Sequence, residues 1–122
     1  MDRLANWIEI PTNDIKRATA FYGTVLGVDF HEMEMGGNRY ALFGVADSNF
    51  GGALVEGEGY TPSAKGTVIY LNGGADLSAP LRRVEKAGGK VLLGKTFLSD
   101  QAGHIAYFED TEGNKIGLHS RA

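Results

Sequence analysis

The chain repeats itself. Asp14 and Asp76 stand 62 residues apart, and so do Gly27 and Gly89. Each Asp carries the side chain of a helix cap, and each Gly has the freedom of a residue that ends a helix. Ala53-Leu54 finds a counterpart in Gly117-Leu118 at a separation of 64. A period of about 60 residues exceeds the roughly 20–50 residues of a solenoid unit. Two related half-domains are therefore expected, each built as a strand, a helix and three further strands.

Hydrophobic spacing places the elements. Asn6 to Pro11 alternates as a strand, with Ile8 and Ile10 on one face and Trp7 and Glu9 on the other. Thr12, Asn13 and Asp14 offer three caps in a row for a helix that runs to Leu26. Its apolar stripe is Ile15, Ala18, Phe21, Tyr22, Val25 and Leu26. Strands are predicted at Val28 to Met35, Arg39 to Val45 and Phe50 to Val55, with turns at Gly36-Gly37-Asn38 and Ala46 to Asn49. His31, Glu32 and Glu34 read as the wet side of their strand. Glu56 to Lys65 reads as a linker in which Glu56 and Glu58 are solvated.

The second unit opens with a strand at Thr67 to Asn72 and a helix from Asp76 to Ala87 with Leu77, Leu81 and Val84 inward. Pro80 falls in the first turn of that helix, where its missing donor costs little. Lys90 to Leu93 is a predicted strand. His104 to Phe108 and Lys115 to Leu118 flank a hairpin loop at Asp110-Thr111-Glu112-Gly113-Asn114. The expected organisation is one domain over 1–122, with a module at 1–58, a module at 65–122 and a short linker between.

Composition removes several classes of function. The net charge is −3 and no Lys/Arg-rich run occurs, so nucleic acid is not an expected partner. The absence of cysteine excludes disulfides, thiol nucleophiles and zinc–thiolate sites. Met1 to Pro11 carries Asp2 and Glu9 and lacks a long apolar run, so neither a signal peptide nor a membrane partner is expected, and the default location is cytoplasmic.

Certain residues carry a family resemblance. Glu9-Ile10-Pro11, Asp14, Arg17-Ala18, Phe21-Tyr22 and Leu26-Gly27 resemble the opening of modules in the glyoxalase, bleomycin-resistance and extradiol dioxygenase (vicinal oxygen chelate) superfamily. Ala87-Gly88-Gly89 with Val91 resembles the end of the second helix. Phe108 through Leu118 resembles the closing hairpin, whose usual core is Asp-Pro-x-Gly-Asn; Thr111 stands here for the proline. The resemblance implies an α+β fold in which two tandem βαβββ modules curl into a half-barrel cleft.

The resemblance also implies a ligand set to look for. In metal-dependent members, four strand positions carry His, Gln or Glu around one divalent ion. Transferred residue by residue, the first falls on Trp7, the second on Ala53 and the fourth on Gly117. The third falls within Gly59 to Ala75, which contains no His, Asp or Glu. None of the three named side chains binds a cation. The chain is therefore expected to lack the usual metal and to need no cofactor. Glyoxalase I and extradiol dioxygenase chemistry, which use that metal, are not expected.

Strand parity nominates residues for the cleft. Trp7 and Glu9 share a face with the first lost ligand, Lys115 and His119 with the fourth. Tyr70 is the large polar side chain on the strand opening the second module, and Tyr40 and Tyr107 come from inner strands. Glu9 and His119 are expected to meet across the cleft as a general base and its orienting partner. Trp7 either stacks on a ligand or plugs the site; Tyr70 either faces the ligand or packs as a core aromatic.

Three readings stay open. In the first, the cleft binds a small aromatic or cationic molecule without a metal. In the second, Glu9 and His119 run lyase, isomerase or dioxygenase-type chemistry on a small carbonyl compound. In the third, the cleft is filled by its own side chains in a stress or regulatory protein. The resemblance implies a homodimer, since modules of this kind pair.

Overall fold

The computed structural model describes residues 4–44 and 51–122. The expected turn at Ala46 to Asn49, the end of the preceding strand at Val45 and the start of the next at Phe50 lie outside the described residues.

Ten elements follow in order. The first unit holds β1 (Trp7–Pro11), α1 (Ile15–Leu26), β2 (His31–Met35), β3 (Asn38–Phe43) and β4 (Gly51–Glu56). The second holds β5 (Tyr70–Asn72), α2 (Ser78–Arg83), β6 (Lys90–Ser99), β7 (Gly103–Glu109) and β8 (Lys115–Ser120). Each unit makes one four-stranded sheet, in the orders β1-β4-β3-β2 and β5-β8-β7-β6. The crossover strand is parallel in both: β1 pairs with β4 and β5 with β8. The fold is α+β, two βαβββ modules in tandem.

Helix α1 forms where the caps and the stripe place it. The Asp14 carboxylate accepts the Arg17 N–H at 3.1 Å, and Gly27 closes the helix at φ +70° with its N–H on the Gly23 carbonyl. That φ is where a side chain is strained and glycine is not. The stripe is buried, save for half-buried Leu26, in one cluster with Ile10, Ala41 and Leu54 of its own sheet and Phe108, Ile116 and Leu118 of the other. Phe21, Tyr22 and Phe108 form a tilted aromatic triangle with centroids 5.0, 5.7 and 6.3 Å apart. Such pairs add about 0.5–1.5 kcal/mol each beyond their buried area.

The two modules are thus one core, and polar bonds lock it. Asp110 in the closing hairpin is buried and accepts the Tyr22 hydroxyl at 2.6 Å. It also accepts the backbone N–H groups of Glu112 and Asn114. Burial, the charge of Asp110 and the bond to it push the Tyr22 phenol well up. Glu112 reaches the start of α1: its carboxylate accepts the N–H groups of Asn13 and Asp14, both at 2.9 Å, and a forked pair from Arg17 at 2.8 and 3.0 Å. Glu56 accepts the Ile15 N–H at 2.7 Å. Glu56 is therefore the end of β4 and a helix cap, not a solvated linker residue.

The second helix corrects its expected bounds. It spans Ser78–Arg83 rather than Asp76 to Ala87, and turns carry the chain on to Gly88. Asp76 does not cap it: the carboxylate takes the Ser78 N–H at 2.9 Å and the Lys95 ammonium at 3.0 Å, which hold it at about 2. The left-handed residue is Gly88, at φ +105°, while Gly89 lies so close to the Phe21 ring and the Glu109 carbonyl that a Cβ there would meet both at 2.7 Å. The opening strand shortens to Tyr70–Asn72. The strand expected at Lys90 to Leu93 continues to Ser99 through three register shifts.

Candidate functional site

The buried residues of β1 and β8 fix which face is which. Ile10 on β1, and Ile116 and Leu118 on β8, point to the helices, so Trp7, Glu9, Lys115, Gly117 and His119 lie on the opposite, concave face. The sheets meet where β1 approaches β8: the Asn114 side-chain amide donates to the Pro11 carbonyl at 2.8 Å and accepts the Ser63 N–H at 3.1 Å. A cavity of about 210 Å³ sits at this seam. Glu9, Pro11 and Lys115 line it, and the linker closes it with Thr61, Ser63, Lys65 and Thr67.

Glu9 is held by aromatic donors. Its carboxylate accepts the Tyr60 hydroxyl at 2.8 Å and the Trp7 indole N–H at 3.3 Å. The bond to Glu9, with Tyr40 adding to it, pushes the Tyr60 phenol up to about 12. Tyr40 comes from β3, directly across from Val55 of β4. No Lys or Arg pairs with Glu9 among the described residues. Trp7 is 44% exposed, so it stands beside the carboxylate rather than filling the cleft.

The second cluster involves Tyr70, Tyr107 and Lys115. The two phenol oxygens are 2.5 Å apart, and the Lys115 ammonium lies 4.4 Å from the centroid of the Tyr107 ring. Gly117 makes room for this. It pairs with both Tyr70 and Tyr107, and a Cβ on it would sit 2.5 Å from the Tyr70 ring. The bond to Tyr107 pushes the Tyr70 phenol up, so it keeps its proton at neutral pH.

The structure thus gathers Trp7, Glu9 and Tyr40 on one half of the concave face and Tyr70, Tyr107 and Lys115 on the other. It does not join Glu9 to His119. The His119 ring bonds through Nε2 to the Ala102 carbonyl and lines a separate, shallow depression of about 590 Å³ with Tyr70, Asn72 and Arg121. Tyr60 was missing from the expected site. Its one signal is that it is the aromatic residue in a linker otherwise made of Gly, Pro, Ser, Thr, Glu, Ala and Lys.

The metal-ligand positions can be tested by their donors. Trp7 pairs with Gly51, Ala53 lies fully buried between Glu9 and Leu42, and Gly117 lies against the Tyr70 ring. No group of three His, Cys, Asp or Glu that could hold an ion occurs among the described residues. The donor set does not fit a divalent ion. Among these residues, too, no helix is long and apolar enough to cross a membrane.

Two βαβββ modules in tandem, each closing one four-stranded sheet, define the fold class. Comparison with known sequences sharpens this: residues 4–118 match the profile of the Glyoxalase/Bleomycin resistance protein/Dioxygenase superfamily, and the chain belongs to that superfamily. A glyoxylase-like domain-containing protein from Didymella fabae is 30% identical over 117 residues, 93% of this chain and 91% of that one. Solved structures with the same fold include a glyoxalase I variant from Zea mays, with a TM-score of 0.75 at 23% identity. The match covers 95% of this chain but 46% of the maize chain, so this chain spans less than half the length of that enzyme. The antibiotic binding protein TnmS3 from Streptomyces sp. CB03234 matches over 100% of this chain and 99% of its own, with a TM-score of 0.69 at 20% identity. The fosfomycin resistance protein FosX from Listeria monocytogenes matches over 100% and 93%, with a TM-score of 0.71 at 15% identity.

Proposed function

We propose that this protein binds a small aromatic or cationic molecule on its concave face without a resident metal. The observation that carries the reading is Glu9: a carboxylate with no basic partner among the described residues, fixed by Trp7 and Tyr60 and flanked by Tyr40. A carboxylate among aromatic side chains suits a protonated or quaternary amine. Each ring face adds about 0.5–1 kcal/mol when exposed and about 2 when desolvated. The fold shared with an antibiotic binding protein supports a binding role. The enzyme reading loses its pair, since Glu9 and His119 serve different partners. The filled-cleft reading loses its plug, since Trp7 stays exposed.

Thermal shift on EDTA-treated protein tests this. Phenyltrimethylammonium is expected to raise the melting temperature, with the shift lost in Glu9→Gln; a ligand at a hundred times its Kd stabilises by about 2.7 kcal/mol. A shift with Ni²⁺, Zn²⁺, Mn²⁺ or Fe²⁺ and none with the organic cation overturns the reading.

We also propose a homodimer. Strand β6 is a ten-residue sheet edge that exposes Leu92, Leu93, Phe97 and Leu98. An apolar edge of this kind favours pairing with another chain.

A further inference from the structure

Two hydroxyl groups 2.5 Å apart share one proton between them and leave one over. Whichever of Tyr70 and Tyr107 donates, the other keeps an O–H for which no protein acceptor exists among the described residues. The pair stands at the surface, not in the core: Tyr70 is 45% exposed. It is also rigid. The Tyr70 ring lies against Gly117, and the two rings rest 5.8 Å apart.

Lys115 brings a positive charge to the same place. Its ammonium sits over the Tyr107 ring, 4.4 Å from the ring centroid. Two carboxylates could have neutralised it. Glu109 stands directly across from it on β7, and Glu9 lines the same cavity. Neither makes an ion pair with it among the described residues. A ring face is a weaker partner for an ammonium than an anionic oxygen is. The cluster therefore offers a spare phenolic proton and, over the Tyr107 ring, a cation without an anionic partner among the described residues. That is the donor set of a site preorganised for an oxyanion.

We infer that Tyr70, Tyr107 and Lys115 form an oxyanion-binding site on the β5–β7–β8 half of the concave face, taking the carboxylate of a small organic ligand. This rests on the reading that the concave face binds small molecules, but not on the role of Glu9. With Glu9 on the other half, the two together would select a ligand that bears a cation and a carboxylate.

The test uses three probes on the full chain, with Kd read by calorimetry: phenyltrimethylammonium, benzoate and 4-(trimethylammonio)benzoate. Benzoate is expected to bind, and to bind about ten- to a hundredfold more weakly in Tyr107→Phe and in Lys115→Met, the range of one charge-assisted hydrogen bond. Phenyltrimethylammonium is expected to bind Tyr107→Phe as it binds the parent and Lys115→Met at least as tightly, since a neighbouring positive charge is gone; either result also shows that the variant is folded. The doubly charged probe is expected to bind tighter than either single one. If phenyltrimethylammonium binds and benzoate does not, or if benzoate binds the variants unchanged, the oxyanion site is overturned and the Glu9 reading stands. If benzoate binds with the expected losses and phenyltrimethylammonium does not, the oxyanion site stands and the Glu9 reading falls. If no probe binds, both fall.

Discussion

Replacing Glu112 with alanine is expected to cost this fold about 3 kcal/mol at neutral pH. The Glu112 side chain is fully buried, and one carboxylate satisfies the N–H groups of Asn13 and Asp14, the Thr111 hydroxyl and the Arg17 guanidinium. Losing it removes two part-buried bonds from backbone donors to a charged acceptor at the entrance to α1, each worth about 1.5–3 kcal/mol. Arg17 is half-exposed and returns to water, so it is left out of the sum. For a chain of this size, about 3 kcal/mol lowers the melting temperature by roughly 10–15 °C.

The same carboxylate gives the loss a pH signature. Burial would raise the Glu112 carboxyl, but bonds from Arg17, Thr111 and the backbone of Asn13 and Asp14 outweigh it and hold the group below its ordinary value of 4.5. A depressed carboxyl stabilises the fold fully above its unfolded value, and the stabilisation is lost as pH falls through the folded value. The gap between wild type and Glu112→Ala should therefore be widest at neutral pH and shrink on acidification below about 4. Urea denaturation from pH 7 down to pH 3 measures it. A gap below about 0.5 kcal/mol at pH 7, or one that stays constant to pH 3, would refute the reasoning.

Two further outcomes follow from packing. Gly117→Ala places a Cβ 2.5 Å from the Tyr70 ring, so it should displace Tyr70 and break its bond to Tyr107. The Tyr70 phenol should then fall back toward 10 in an NMR titration, and an unchanged titration would contradict the packing. Phe97→Lys with Leu98→Lys should convert a dimer at tens of micromolar into a monomer by sedimentation; a parent protein already monomeric there removes the dimer.

Local physics made half of this molecule readable. The stripe of α1, the Asp14 cap and the Gly27 terminus all follow from spacing within one helix, and they stand where the residues put them. Parity on β1 and β8 placed Trp7, Glu9, Lys115 and His119 on one face because side chains alternate strictly along a strand. Parity gives a face but no position across the sheet, which is why Glu9 and His119 looked like partners and are not. The sequence predicts only Lys90 to Leu93 of strand β6 because three register shifts break the alternation that marks a strand. Tyr60 lies in a linker with no period to read. The caps from Glu56 and Glu112 could not be seen, since their donors are 41 and 98–99 residues away.

That last distance bears on how the chain folds. An isolated helix of the length of α1 is marginal in water, and two of its entrance donors wait for a carboxylate 98 and 99 residues downstream. A ribosome adding about 5–20 residues per second needs roughly 5–20 s to cover that stretch. During that interval the first module has its helix but neither Glu112 nor the Phe108 face that completes its core. It is therefore the stage at which the nascent chain most needs protection, and a released chain truncated before Phe108 should be far more open to protease than the full chain.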